Sequence, residues 1–187
     1  MEYVSPIKDP ESIQRMKDLL KSKSQRDFLL FVFGINTGMR ICDLLNLKVQ
    51  DVWNGKEVTE FVVIPGNGHR KEKTFYLNNN VRNAIFNYVL SAQLKSGDFL
   101  FKTKNHNKPI TRQQAYRIVN KAARDAGIEG KIGTHTIRKT FGYHAYRKGV
   151  AISVLSAIFD HSGPAETLKY LAIGKEQDLP KRIDVNL

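Results

Sequence analysis

A single cysteine, Cys42, occurs among 187 residues. No disulfide can close within the chain, and a cysteine-type metal site is excluded. Cys42 has apolar neighbours and is expected to be a small buried hydrophobe, not a nucleophile. Long apolar runs are missing as well. The longest, FLLFVFGI at 28–35, falls far short of the roughly 18 residues that a membrane-crossing helix needs. The first stretch, MEYVSPIKDPESIQ, is acidic and polar and does not read as a signal peptide, so residence in the cytoplasm is expected. No internal repeat or low-complexity segment is visible. Acidic residues are scarce: 18 Asp and Glu stand against 30 Lys and Arg, giving a net charge of +12 and a pI near 9.8. A polyanionic partner follows, nucleic acid first and an anionic membrane surface second.

What is present is a globular composition, 41% hydrophobic and 26% charged, long enough for one domain with a real core. Asp9-Pro10-Glu11 reads as a helix start, with Asp9 as N-cap. A second, apolar helix is expected over 26–36, ended by Thr37-Gly38, and a short one restarts near Arg40. Val49–Trp53 and Glu57–Ile64 carry β-branched and aromatic residues and read as extended. PGNGHRKEK (65–73) is a polar, basic turn, and Thr74–Leu77 looks like its return strand. Helices are expected over 80–94, from the Thr111 cap to Gly127, and over 134–147, 151–158 and 164–172.

Three stretches carry chemistry. In TGMRICDLL (37–45), Arg40 follows a Thr-Gly break at the start of a short helix. Its planar fork suits bidentate phosphate binding, and Asp43 three residues on lies where it can orient the guanidinium. In GTHTIRKTFG (133–142), His135 and Arg138 share one helical face, with Thr134 or Thr136 as the cap. They offer a proton-shuttling imidazole and a fixed positive fork. In DHSGPAETLKY (160–170), His161 lies at a helix break and Tyr170 at the end of the next helix. A tyrosine hydroxyl, with a pKa of about 10, needs nearby cations to act as a nucleophile. Tyr143 and His144 share the helix of Arg138 but are expected to turn elsewhere.

Taken together, an arginine, then His-x-x-Arg, then a histidine with a tyrosine nine residues later resembles the tyrosine recombinase (phage integrase) family. TGMRICDLLNL is similar to the family's first arginine box, GTHTIRKTFG to its His-x-x-Arg box and HSGPAETLKY to its His-to-Tyr segment. PITRQQAYRIVNKAARDAGI (109–128) is similar to the helix before the second box. The resemblance implies an α+β, mainly helical fold: the tyrosine recombinase catalytic domain, with a small antiparallel β-sheet inserted after the first helices. That domain would span 1–173, and 174–187 would be a C-terminal tail of the kind exchanged between protomers.

The resemblance also implies roles. Arg40 and Arg138 would clamp the scissile phosphate and stabilise its pentavalent transition state. His135 would assist proton transfer, and His161 would hydrogen-bond the phosphate. Tyr170 would be the nucleophile, forming a 3′-phosphotyrosine and freeing a 5′-hydroxyl, with Asp43 in support. The implied activity is site-specific recombination or integration of double-stranded DNA, on which the protein would assemble as a homo-oligomer. No metal, cofactor or ATP would be needed.

Three features depart from the family pattern. The hairpin lacks a lysine where Lys-Thr-Gly-Lys would put one; Lys71, nearer the tip, is the preferred general acid and Lys73 the alternative. FDH (159–161) stands where Leu-Gly-His is usual, so Asp160 puts a carboxylate beside the phosphate pocket. Only about ten residues precede the first helix, where full-length members place a core-binding domain, so the chain reads as a fragment or as a small catalytic-domain protein. The rival readings are a DNA-binding regulator on the same scaffold and a type IB topoisomerase-like enzyme.

Overall fold

The computed structural model describes residues 4–66, 68 and 71–173; the expected exchanged tail at 174–187 lies outside them. Among the described residues the elements run α1 (Pro10–Lys23), α2 (Gln25–Thr37), α3 (Ile41–Leu45), α4 (Val49–Val52), β1 (Phe61–Ile64), β2 (Lys73–Tyr76), α5 (Asn79–Ser91), α6 (Arg112–Asp125), α7 (Thr134–Arg147), α8 (Ile152–Phe159) and α9 (Pro164–Leu171). The mainly helical α+β architecture is the expected one.

Helix α2 is the axis. Leu29, Leu30, Phe31, Val32 and Phe33 are all buried, the mark of a helix covered on every side. It packs against α1, α5 and α7. One core joins α2 to α5 and the hairpin, a second joins α1 and α6 to α7, and a third unites α7, α8 and α9. The caps follow the sequence. Asp9 accepts from the backbone of Glu11 and Ser12, and Asn78 accepts from Val81 at the start of α5. At the start of α6, Thr111 and Gln114 cap each other reciprocally.

Two close approaches fix the site's scaffold. Gly38 ends α2 with φ +65°, and a Cβ there would collide with the Phe141 ring on α7. At Gly142 of α7, a Cβ would lie 2.6 Å from both Leu171 and Phe159. Without that glycine, α8 and α9 could not seat on α7 as they do.

Val49–Trp53 departs from the extended expectation: Val49–Val52 form one helical turn, α4. Local β-propensity loses to specific bonds. The Lys48 amide donates to Asp51 at 2.7 Å, and the Val49 amide donates to the Asp98 carbonyl at 2.9 Å. Beyond it, Phe61–Ile64 pairs antiparallel with Lys73–Tyr76, in the register Val62↔Phe75 and Ile64↔Lys73. Val62 and Phe75 are buried while their chain neighbours are more exposed. The period of two therefore puts Lys73 on the inward face with Phe75.

Candidate active site

Arg138 is placed first, because the fold leaves it little freedom. It rises from α7 into a buried position, 7% exposed. Nη1 donates to the Gly38 carbonyl at 2.7 Å and Nη2 to the Ile158 carbonyl at 3.2 Å. Its guanidinium lies 4.8 Å from the centre of the Phe159 ring. Burial pushes its pKa down to about 10, so it stays charged at neutral pH. Both hydrogen-bond partners are neutral carbonyls, and the charges of Asp160 and Asp43 act on it from further off.

Arg40 is the N-cap residue of α3, with an extended backbone at φ −66° and ψ 140°. It shares a cleft of about 260 Å³ with His135, Arg138, His161, Tyr170 and Arg112. The five residues read from the three boxes thus meet in one place. Cys42 lines the same cleft and is exposed, contrary to the expectation of burial. In so short a helix Leu44 and Leu45 take the core positions, and Cys42 is left on the open side.

His135 occupies the first turn of α7. Thr136 makes the cap of this helix, its hydroxyl accepting from the Gly133 amide at 3.1 Å. Arg112 Nη2 lies 3.2 Å from His135 Nε2. Arginine can only donate, so Nε2 accepts and the neutral ring carries its proton on Nδ1. Burial, reinforced by the charges of Arg112, Arg138 and Lys139, lowers the His135 pKa. Sequence reasoning missed Arg112. It follows the Thr111 cap directly, but nothing in the sequence sets it apart from the many other basic residues.

His161 sits in the break between α8 and α9. Its Nδ1 lies 2.9 Å from Thr167 Oγ1, which is 2.8 Å from Ser156 Oγ. Ser156 Oγ donates to the Ile152 carbonyl at 2.8 Å and Thr167 Oγ1 lies 3.3 Å from the Gly163 carbonyl, so these hydroxyls anchor the Nδ1 edge of the ring to α8 and α9. Burial lowers the His161 pKa too, opposed by Glu166.

Tyr170 closes the cleft from α9. Its ring packs against His161 at 4.9 Å and Phe159 at 5.4 Å between centres, under the Lys139 ammonium at 4.9 Å. The hydroxyl is buried and faces the Arg138 guanidinium without a well-formed hydrogen bond to any described residue. Such an orphan is costly in a folded protein and points to a ligand or a catalytic role. Burial raises its pKa, with Arg138 and Arg40 opposing, so it rests protonated.

The remaining assignments divide. Lys71 is exposed and lies in the turn before β2. Lys73 reaches the site: its Nζ is 2.7 Å from Asp160 Oδ1 and donates to the carbonyls of Ile158 and Ala157 at 2.8 and 3.0 Å. Of the two hairpin lysines it is thus Lys73, the alternative, whose ammonium is turned toward α8 and Asp160, because the inward face of β2 begins at Lys73. Asp160 points inward, with Oδ2 2.6 Å from Arg40 Nη2. The carboxylate seen on Arg40 is thus that of Asp160, and the charge of Asp43 is felt by Arg138. Tyr143 and His144 turn away as expected, toward Lys8 and the Ile7 carbonyl.

The fold has counterparts among solved structures. XerA recombinase superposes with a TM-score of 0.75 at 21% identity, over 94% of this chain and 61% of that one. The catalytic domain of bacteriophage HP1 integrase superposes at 0.60 with 20% identity, over 90% and 88%. The architecture is therefore that of a tyrosine recombinase catalytic domain. The sequence carries the assignment to a family: the Phage integrase family model matches residues 8–177, and the chain belongs to it. A probable integrase/recombinase YoeC of Bacillus subtilis is 39% identical over 94% of this chain and 93% of its own length. A tyrosine recombinase of Pseudothermotoga lettingae is 31% identical over 88% of this chain but only 55% of its own length. The chain thus spans nearly all of one relative and about half of the other.

Proposed function

We propose that this domain cuts and rejoins duplex DNA through a covalent 3′-phosphotyrosine at Tyr170. The observation that carries this reading is the buried Tyr170 hydroxyl in a cleft with three arginines and two histidines. The Tyr170 oxygen attacks the scissile phosphorus, and its proton passes to Nε2 of the neutral His135 ring as that atom gives up its hydrogen bond from Arg112. Arg138 and Arg40 bind the non-bridging oxygens and stabilise the charge that builds on them, while His161 hydrogen-bonds the same group. The bond to the 5′-oxygen breaks, and that oxygen takes a proton from the Lys73 ammonium. Reversal with another strand's 5′-hydroxyl restores the phosphodiester and frees Tyr170. The phosphotyrosine conserves the bond energy, so no step calls for ATP or a metal.

The net charge of +12 suits a backbone-tracking DNA interface. The full reading has the protein act in the cytoplasm as a homo-oligomer assembled on DNA, with 174–187 exchanged between protomers. One observation favours the rival, a DNA-binding regulator that does not cleave: Asp160 neutralises both Arg40 and Lys73. A pool of nicked duplexes, randomised around the nick, decides between them. Wild type is expected to yield a covalent adduct on a denaturing gel, and Tyr170→Phe to yield none while still shifting DNA on a native gel. No adduct from the pool would favour the regulator.

A further inference from the structure

Asp160 ends α8 in the left-handed region, at φ 57° and ψ 42°. Aspartate tolerates this conformation better than most residues, and unlike glycine it brings a carboxylate to the site. Oδ2 takes Arg40 and Oδ1 takes Lys73, at 2.6 and 2.7 Å. The two cations come from α3 and β2, and Asp160 is the group that ties them together.

The closure of Lys73 is complete. An ammonium has three N–H donors, and all three have acceptors: Asp160 and the carbonyls of Ile158 and Ala157. Those carbonyls belong to the last turn of α8, where orphan acceptors and the helix dipole favour a cation. Arg40 Nη2 faces the carboxylate as it would face a non-bridging phosphate oxygen. Burial alone would push the Asp160 carboxyl up, but Lys73 and Arg40 outweigh it and hold it below the usual carboxylate range.

We propose that Asp160 is a built-in stand-in for the scissile phosphate: its carboxylate holds Arg40 and Lys73 together in the DNA-free domain, and cleavage requires that it release both. This rests on the reading of Arg40 and Lys73 as phosphate-side groups. A phosphodiester entering beside an unmoved Asp160 meets a like charge and two cations already engaged. Only DNA gripped at many other points supplies the binding energy to displace it, so the contact restrains cutting on weakly bound duplex.

The test measures inorganic phosphate binding to the full chain by ³¹P NMR titration, for wild type, Asp160→Asn and Asp160→Gly. Both replacements tolerate the left-handed backbone. Each is expected to bind phosphate about tenfold tighter, the scale of a charged hydrogen bond returned to the ligand. Asp125→Asn removes the same charge at the far end of α6, roughly 20 Å from Arg112, and is expected to leave the affinity unchanged. Adding Lys73→Ala is expected to weaken phosphate binding in the Asp160→Asn background but hardly in wild type.

Unchanged or weaker phosphate binding in both Asp160 variants would overturn the proposal, as would an equal gain in Asp125→Asn. The adduct assay separates this from the catalytic reading. Adduct formation without an affinity gain contradicts the stand-in alone. An affinity gain with no adduct from any variant supports the stand-in and contradicts the catalytic reading.

Discussion

Arg138 and Arg40 open onto one cleft, yet the protein holds them in opposite ways. Arg138 is buried and fixed by two backbone carbonyls, on the ends of α2 and α8. Arg40 keeps a third of its side chain exposed and is held by a carboxylate. Carbonyls orient a cation and leave its charge available; a carboxylate orients it and cancels it. On the proposed reading, one side of the cleft is thus a standing anion site, while the other opens only when a competing anion arrives. The shared Ile158 carbonyl, which accepts from both Arg138 and Lys73, joins the two.

The contrast breaks most readily at Arg138. Arg138→Ala is expected to lower adduct formation by about 10² to 10³, the scale of a lost transition-state donor. It leaves the Gly38 and Ile158 acceptors short of a donor, so urea denaturation is expected to show a loss of about 1–3 kcal/mol. Arg40→Ala removes a partly exposed pair and is expected to change stability by less than about 1 kcal/mol. Equal destabilisation by the two would erase the distinction.

The hairpin gives the next largest effect. Lys73→Ala is expected to slow cleavage by about 10², the low end of general acid catalysis. A 5′-bridging phosphorothiolate, whose leaving group needs no acid, is expected to restore the rate. Lys71→Ala is expected to stay within about twofold, as for an exposed phosphate contact. The reverse order would return the acid to the turn.

The smallest effect is that of pH. Both His135 and His161 have lowered pKa values, so the unfolded chain binds protons that the native state refuses. Stability is therefore full above the unfolded histidine pKa of about 6.5 and falls as the pH drops from there toward the folded values. Thermal melts from pH 8 to 5 check this, and replacing both histidines with glutamine is expected to flatten the curve.

The same contrast marks how much the sequence alone could show. His135 and Arg138 are three apart on one helix, and Gly163–Tyr170 is one capped turn and helix, so local spacing carried their placement. The hairpin is different. Whether Lys71 or Lys73 faces inward depends on register, and the inward set by Phe75 was the available clue: Lys73 shares its parity and lies within the ladder. Cys42 and Val49–Val52 misled because tertiary bonds, not local propensity, decide a five-residue helix and a single turn. The Asp160 bridge was visible as a carboxylate out of place, but its partners on α3 and β2 are fixed only by the fold.

Proteolysis of the trapped DNA adduct, followed by mass spectrometry of the nucleotide-bearing peptide, tests the central claim most directly. The account predicts the modification on Tyr170, in the peptide that follows Lys169. A nucleotide on Tyr143 or Tyr146, or on any residue other than Tyr170, would contradict it.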